Sequence, residues 1–201
     1  MSLSPPELAI RRFKVLVVDD EPTLRLGFSY ALADHDTDTA AGGREALIKI
    51  EEQVYDVVIL DLRMPDIDGL QVIEMLRRQD NPLPVVLCSA ALTPSSALRA
   101  ITGNVVDFLL KPVRPIELRG VIEHVLKPGA DLLSQALAKA RAGHLNQAIH
   151  HLEEVSEPNP RTTVWTSVLR AIRLGGLEGE AAAFAKLERE GLDQLAFRME
   201  V

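Results

Sequence analysis

The fold of this chain is decided by the stretch VVILDLRMPDIDG, residues 57–69. It opens with four consecutive apolar residues, mostly β-branched, which predict a strand buried on both faces. A carboxylate, Asp61, follows at once, and Pro65 and Gly69 then stop regular structure. Asp61 is therefore expected where a buried strand meets a loop. In an open parallel sheet, that edge is where ligands bind.

Size and composition limit what the chain can be. Its 201 residues suit one domain of ordinary size and a smaller one, and 47% apolar residues suffice for a core. A net charge of −7 argues against a protein that coats nucleic acid or an anionic membrane. The single cysteine, Cys88, cannot form an internal disulfide, and we find neither a membrane span nor a signal peptide. We therefore expect a cytoplasmic protein.

Short apolar strands alternate with amphipathic helices through the first part of the chain. The five predicted strands cover residues 13–18, 37–40, 56–60, 85–88 and 105–110, and a helix follows each of them. Such alternation gives a parallel sheet with right-handed crossovers and helices on both faces. Asp20 or Thr23 is the predicted N-cap of the first helix, and Thr93 with Pro94 predicts the start of the fourth.

Polar residues follow four of the five predicted strands, at the edge where parallel strands end. Asp19 and Asp20 follow the first strand, Asp61 the third, Ser89 the fourth and Lys111 the fifth. Carboxylates that face one cleft repel one another, and a hard divalent cation such as Mg²⁺ relieves that repulsion. The convergence predicts a phosphate and metal site at this edge.

This predicted site contains the groups that phosphoryl transfer needs. The three carboxylates and the backbone carbonyl of Arg63 can hold Mg²⁺, and Asp61 can alternatively form an acyl phosphate. The ammonium of Lys111 can neutralise phosphoryl charge, and the Ser89 hydroxyl can donate to a phosphate oxygen. No residue at this edge is suited to be the general base for a foreign substrate, so a turnover enzyme is not expected.

Four motifs lie in order on these elements: VVDDE at 17–21, LDLRMPDIDG at 60–69, Ser89-Ala90 and Lys111-Pro112. Together they resemble the receiver domain of bacterial two-component response regulators, over residues 13–127. The resemblance implies a flavodoxin-like, doubly wound, five-stranded sheet in the order 2-1-3-4-5. It also implies a partner, either a histidine kinase or a phosphotransfer protein.

The resemblance further implies roles for the residues of the predicted site. Asp61 would accept the phosphoryl group, and Asp20 would bind Mg²⁺ directly with Asp19 close by, often acting through water. Lys111 would be the lysine that precedes a proline that is usually cis.

Two more positions match the family's conformational switch. Ser89 takes the place of the switch hydroxyl residue, and Phe108 matches the aromatic position that turns with it. Phosphorylation would then change the shape of the last two helices of the receiver, as a local charge that biases two pre-existing states.

A second region follows a linker at residues 128–130, where composition shifts to Ala, Leu and Arg. Helices are predicted at 131–140 and 145–155, separated by Gly143, and at 163–174 and 178–190, separated by Gly175-Gly176. The two pairs are offset by 32 residues, from Arg141 to Arg173. This is near the period of ~34 residues of tetratricopeptide repeats, which the pattern resembles. A last helix at 192–199 would close this small all-α helical-hairpin domain.

These features predict a signalling switch with an N-terminal tail (1–12), a receiver (13–127), a linker (128–130) and a helical interaction segment (131–201). The segment would bind a partner protein, and a second copy of the chain is another candidate partner.

Two alternatives from other functional classes stay open. One is a DNA-binding transcriptional regulator, with helices 163–174 and 178–190 as a helix-turn-helix. The second helix has four glutamates and only two basic residues, Lys186 and Arg189. Repulsion between these glutamates and DNA phosphates argues against DNA binding. The other is a metal-dependent phosphatase that acts on small phosphates.

Overall fold

A single five-stranded parallel sheet organises the amino-terminal part of the molecule. The computed structural model describes residues 12–90, 94–126, 132–154 and 160–178. The strands are β1 (Lys14–Val18), β2 (Asp36–Ala40), β3 (Val57–Asp61), β4 (Val85–Ser89) and β5 (Val105–Leu110). They are ordered β2-β1-β3-β4-β5, which confirms the order expected from the sequence.

Helices cover both faces of this sheet. They are α1 (Pro22–Ala31), α2 (Gly43–Glu52), α3 (Gly69–Arg78), α4 (Pro94–Thr102) and α5 (Pro115–Leu126). One core cluster lies between the sheet and α2, α3 and α4, and a second lies between the sheet and α1 and α5. Every residue of β3 and β4 is buried because both faces are covered, which explains their continuous apolar runs.

The strand register aligns the predicted site residues along one edge. Asp61 is the last residue of β3 and pairs with Cys88 of β4, while Ser89 pairs with Leu110 of β5. Asp19 follows β1 and Lys111 follows β5 directly. The carboxyl ends of four strands therefore present their polar side chains together.

The start of α1 differs from the sequence prediction. Its N-cap is Glu21, without a side-chain cap bond, and Pro22 occupies the first turn. Neither Asp20 nor Thr23 caps the helix, because the fixed φ of Pro22 sets the first helical position. The Asp19 carboxylate instead accepts a hydrogen bond from the Glu21 N–H at 2.9 Å.

Three further helices form the carboxyl-terminal part of the described chain: α6 (Leu132–Arg141), α7 (Leu145–Glu153) and α8 (Pro160–Glu178). Gly143 separates α6 from α7 with a positive φ of 85°, as expected for a glycine at a helix end. The α6 helix packs on α7, and α7 packs on α8. Buried residues of α8 recur every three or four positions and form one stripe: Thr162, Trp165, Leu169 and Ile172.

The three helices pack against the receiver-like region rather than standing apart from it. Both α6 and α8 contact α4, and one apolar core continues from the sheet into α6, α7 and α8. The Arg141 guanidinium, at the end of α6, donates to the carbonyls of Ile101 at 3.1 Å and Val105 at 2.8 Å. Helical repeats need neighbours to bury their faces, and here the α4 side of the sheet is such a neighbour.

One helix boundary in this part was predicted wrongly. The break expected at Gly175-Gly176 is absent, because α8 runs through both glycines to Glu178. A glycine costs a helix only about 1 kcal/mol relative to alanine, which the packing of the preceding turns can outweigh. The predicted helix-turn-helix therefore lacks its turn.

Several predictions concern residues outside the described ranges: Thr93, the linker at 128–130, the start of a helix at residue 131, and the helices beyond residue 178. Within the described ranges, no helix is both long enough and apolar enough to cross a bilayer.

Candidate functional site

The Lys111 ammonium lies between two buried carboxylates at the carboxyl edge of the sheet. Its Nζ is 2.8 Å from Asp19 Oδ2 and 3.1 Å from Asp61 Oδ1. Glu21 is more distant, with Oε1 at 4.0 Å from the same nitrogen. Asp19 and Asp61 are only 1% and 4% exposed, so both depend on this cation for compensation of their charge.

Asp20 completes an acidic cluster with these two residues. Carboxylate oxygens of Asp19, Asp20 and Asp61 all lie within 4.8 Å of one another, and Asp20 is exposed to solvent. Burial raises the pKa of Asp61, and the Asp19 carboxylate raises it further, while hydrogen bonds from Lys111 and from the Arg63 N–H oppose the rise. The cluster thus has more negative charge than one ammonium can balance.

The same two carboxylates also shift the pKa of Lys111. Desolvation disfavours the charged ammonium, but its hydrogen bonds to Asp19 and Asp61 outweigh that cost and raise the pKa. Lys111 is therefore a permanent cation at this edge and cannot serve as a proton acceptor at neutral pH.

The loop after β3 returns very close to the backbone of Asp61. A Cβ atom placed on Gly69 would lie 2.4 Å from the Asp61 carbonyl oxygen, so only glycine fits there. The next helix begins with a capping box, in which Asp68 accepts from the Gln71 N–H at 2.8 Å and the Gln71 side chain accepts from the Asp68 N–H. This cap fixes the end of the loop that also contains Arg63.

Asp66 joins the same loop to the neighbouring helix. Its carboxylate accepts hydrogen bonds from the N–H groups of Gly43 at 3.1 Å and Arg44 at 2.9 Å, at the start of α2. Slight burial favours the protonated acid, but these backbone hydrogen bonds prevail and lower the pKa of Asp66. The favourable end of the α2 dipole therefore holds this side chain as an anion.

Ser89 and Phe108 lie on the two strands next to the acidic cluster. Ser89 is 4% exposed at the end of β4, and its carbonyl accepts a hydrogen bond from the Lys111 N–H at 2.8 Å. The Lys111-Pro112 peptide is cis, as the resemblance implied. Phe108 pairs with Leu87 and lies three residues before Lys111, turned towards the helical segment.

Sequence reasoning therefore identified the residues that the structure brings together: Asp19, Asp20, Asp61, Ser89 and Lys111. Arg63 lies on the adjoining loop with its side chain exposed. Sequence reasoning missed Asp107 and Trp165, which form a hydrogen bond 58 residues apart in the chain. Two signals were available: a lone carboxylate inside the apolar run of β5, and a single tryptophan in a chain with 4% aromatic residues.

The donor set is suited to a hard cation. Three carboxylates grouped around one point, one of them facing solvent, provide the oxygen ligands that Mg²⁺ prefers, and solvent can supply the remaining ligands.

A family model described as "Response regulator receiver domain" matches residues 15–123, which is more than half of the chain. The chain belongs to the response regulator receiver family. The receiver includes all of the predicted site residues, while α6, α7 and α8 follow the matched range.

Individual relatives agree with this assignment. The chain is 31% identical over 138 residues to "Regulatory protein AtoC" of Escherichia coli, covering 68% of this chain and 28% of AtoC. It is 40% identical over 115 residues to the "Protein-glutamate methylesterase/protein-glutamine glutaminase" of Geobacillus kaustophilus, covering 54% of this chain and 33% of that protein. The chain thus spans a third or less of these relatives' length.

A solved receiver has the same fold. The chemotaxis protein CheY4 of Vibrio cholerae superposes with a TM-score of 0.55 and 31% identity. The superposition covers 58% of this chain and 100% of CheY4. It therefore includes the receiver, and the helical segment is additional to the shared fold.

Proposed function

We propose that this receiver is a phosphorylation-controlled switch in which Asp61 accepts a phosphoryl group from a histidine kinase or a phosphotransfer protein. The observation that supports this most directly is the position of Asp61, buried at a strand end, with Lys111 Nζ at 3.1 Å and two further carboxylates within 4.8 Å. An acceptor needs a nucleophilic oxygen beside groups that neutralise phosphoryl charge, and this arrangement has both.

The transfer itself needs no cofactor other than Mg²⁺. An Asp61 oxygen attacks the phosphorus of a phosphohistidine, an O–P bond forms, and the P–N bond breaks with its electron pair leaving on the imidazole nitrogen. Water later attacks the acyl phosphate, which releases phosphate and regenerates the carboxylate. Burial raises the pKa of Asp61, and the hydrogen bond from Lys111 opposes that rise and so favours the ionised, nucleophilic form.

Mg²⁺ would be held by Asp19, Asp20, Asp61 and the backbone carbonyl of Arg63. The ion supplies charge neutralisation for the phosphoryl oxygens when it is bound. The excess negative charge of the acidic cluster supports this assignment, since Lys111 alone cannot balance three carboxylates.

Ser89 and Phe108 would transmit the change. The Ser89 hydroxyl donates to a phosphoryl oxygen and its loop moves towards Asp61, and Phe108 turns into the space that this movement leaves. The receiver (residues 13–127) then alters the contacts of the helical segment (131–201) with a partner protein or with a second copy of the chain. The segment's resemblance to tetratricopeptide repeats remains a prediction.

The test compares the parent protein with Asp61→Asn after incubation with Mg²⁺ and acetyl phosphate. Intact mass is expected to show one added phosphoryl group on the parent and none on the variant, and chelation of Mg²⁺ is expected to abolish the addition.

The matched control is Asp80→Asn, at the opposite edge of the sheet. Asp80 has a positive φ of 53°, a conformation that asparagine tolerates well, so the variant should fold and be phosphorylated like the parent. Phosphorylation that persists in Asp61→Asn would overturn the proposed acceptor.

A further inference from the structure

Trp165 joins the helical segment to the strand that leads into the phosphoacceptor site. It is 1% exposed on α8, and its ring packs edge-on against Phe108, with centroids 4.7 Å apart and planes at 66°. Its indole Nε1 donates a hydrogen bond to Asp107 Oδ1 at 3.0 Å. One side chain thus binds two consecutive residues of β5.

Besides the ring packing, the contact includes a hydrogen bond from Trp165 to the carboxyl group of Asp107. It is a carboxylate that is 1% exposed within an otherwise apolar strand. The same Oδ1 accepts from the Phe108 N–H at 2.9 Å and from Trp165, so the acceptor bridges the strand backbone and α8. Hydrogen bonds are directional, so a small shift of β5 at this point weakens the docking of α8.

The strand that contains Asp107 and Phe108, β5, ends beside the acidic cluster. Lys111 directly follows β5, pairs with Asp61 through its ammonium, and bonds Ser89 of β4 through its N–H. β5 is the outermost strand on one side of the sheet, so it pairs with β4 alone. This pairing is irregular between Val85 and Val86 of β4. An edge strand with irregular pairing adjusts at a lower cost than the fully paired strands of the sheet centre.

We infer that Trp165 is a positioning residue that holds Phe108 in the unphosphorylated arrangement, so that phosphorylation of Asp61 loosens α8 from the receiver. The inference rests on the proposed function. A phosphoryl group draws Lys111 and Ser89 towards Asp61, and movement of Phe108 in that direction breaks its edge contact with Trp165. Coupling is reciprocal, so loss of the Trp165 contacts favours the phosphorylated state.

The chain has its own reporter for this change, because Trp165 is the single tryptophan. The full chain is treated with Mg²⁺ and acetyl phosphate, the phosphorylated fraction is followed by intact mass, and tryptophan emission is recorded on the same sample. Phosphorylation is expected to shift the emission to longer wavelength and to raise acrylamide quenching about twofold as Trp165 becomes exposed.

Intact mass tests the proposed function, whereas Trp165 emission and quenching test this inference. Phosphorylation without any change in Trp165 emission or quenching would overturn this inference and leave the proposed function intact. If intact mass shows no phosphorylation, the proposed function fails and the inference fails with it. Asp61→Asn should show neither signal.

A second experiment uses reciprocity and a conservative variant. Trp165→Phe keeps an aromatic ring beside Phe108 but removes the N–H that bonds Asp107, so it should fold. At an acetyl phosphate concentration that half-phosphorylates the parent, we expect the ratio of phosphorylated to unphosphorylated protein to rise about threefold.

The matched control for this variant is Arg170→Gln. Arg170 lies on α8 and pairs with Glu153 of α7 at 2.6 Å, in an exposed position. Its removal changes the helical segment without touching Asp107 or Phe108, so phosphorylation should match the parent. An equal phosphorylated fraction in Trp165→Phe and the parent would overturn the inference, since a purely structural tryptophan would leave the fraction unchanged.

Discussion

The carboxyl edge of the sheet and the interface between α8 and the receiver both bury carboxyl groups, but the groups that contact them differ. At the edge, three clustered carboxylates share one ammonium. At the interface, the one buried carboxylate, Asp107, accepts from Trp165 and lies against apolar packing that continues from the sheet core. At the edge the carboxylates are paired with a cation and open to a further one at exposed Asp20, whereas at the interface Asp107 accepts from two neutral N–H groups.

The two regions contribute differently to stability and to the response to ligands. Matched apolar packing contributes stability that changes little with pH or metal. A buried carboxylate cluster weakens the folded state until a cation or a proton reduces its charge.

Trp165→Ala tests the interface. Removing a fully buried tryptophan should lower the free energy of unfolding by about 3–5 kcal/mol, because a cavity remains between α8 and Phe108. Hydrogen exchange is the measurement. We expect amide protection to fall in α6, α7 and α8, with smaller losses in the sheet.

The control for that variant is Ser167→Ala on the same helix. The Ser167 hydroxyl donates to the Thr163 carbonyl within α8 at 3.1 Å, so its loss should change stability by less than about 0.5 kcal/mol. Equal effects of the two substitutions would show that Trp165 contributes no special packing.

Gly69→Ala tests the loop beside Asp61. A Cβ atom would meet the Asp61 carbonyl oxygen at 2.4 Å, and the loop must move to admit it. We expect a loss of about 1–3 kcal/mol in urea denaturation, together with slower phosphorylation by acetyl phosphate, because the shift displaces the end of β3 where Asp61 lies.

Gly120→Ala is the matched control for Gly69→Ala. Nothing lies within 4 Å of a Cβ atom on Gly120, which is inside α5. Alanine is the better helix former, so this variant should gain about 0.5–1 kcal/mol. If both variants gained stability, the close approach at Gly69 would be contradicted.

The site was more predictable from the sequence than the interface. Each site residue directly follows or ends an apolar strand, and parallel strands end at one edge, so Asp19, Asp61 and Lys111 could be placed together before any contact was known. The boundaries of β5 were predicted at the residues where the structure has them, Val105–Leu110. These are consequences of local pattern and topology.

The interface could not be predicted in the same way. Its contacts join Asp107 to Trp165 across 58 residues, and helical periodicity indicates that α8 has an apolar stripe but not which surface covers it. The prediction of a helix break at Gly175-Gly176 was wrong because tertiary packing overrides a weak local preference. Lone polar residues in apolar strands are the signal to follow, since they need a partner.

The smallest expected effect concerns the pH dependence of the acidic cluster. Burial raises the pKa of Asp61 in the folded protein, and Asp19 adds to the rise, so the folded state binds this proton more tightly than the unfolded state does. The contribution of Asp61 to stability therefore falls as the pH rises from the unfolded pKa to the folded pKa, and its cost is fully present above the folded pKa.

Asp61→Asn should remove that cost. In the absence of Mg²⁺, we expect the variant to be more stable than the parent at pH 7 by about 1 kcal/mol, the repulsion between two unit charges about 4 Å apart in water. The advantage should vanish as the pH approaches the unfolded value of about 4, where the parent carboxyl is protonated as well. Urea denaturation across this pH range measures the difference. Added Mg²⁺ should stabilise the parent more than the variant, whereas a variant that is less stable than the parent at pH 7 would mean that the ion pair with Lys111 outweighs the desolvation of Asp61.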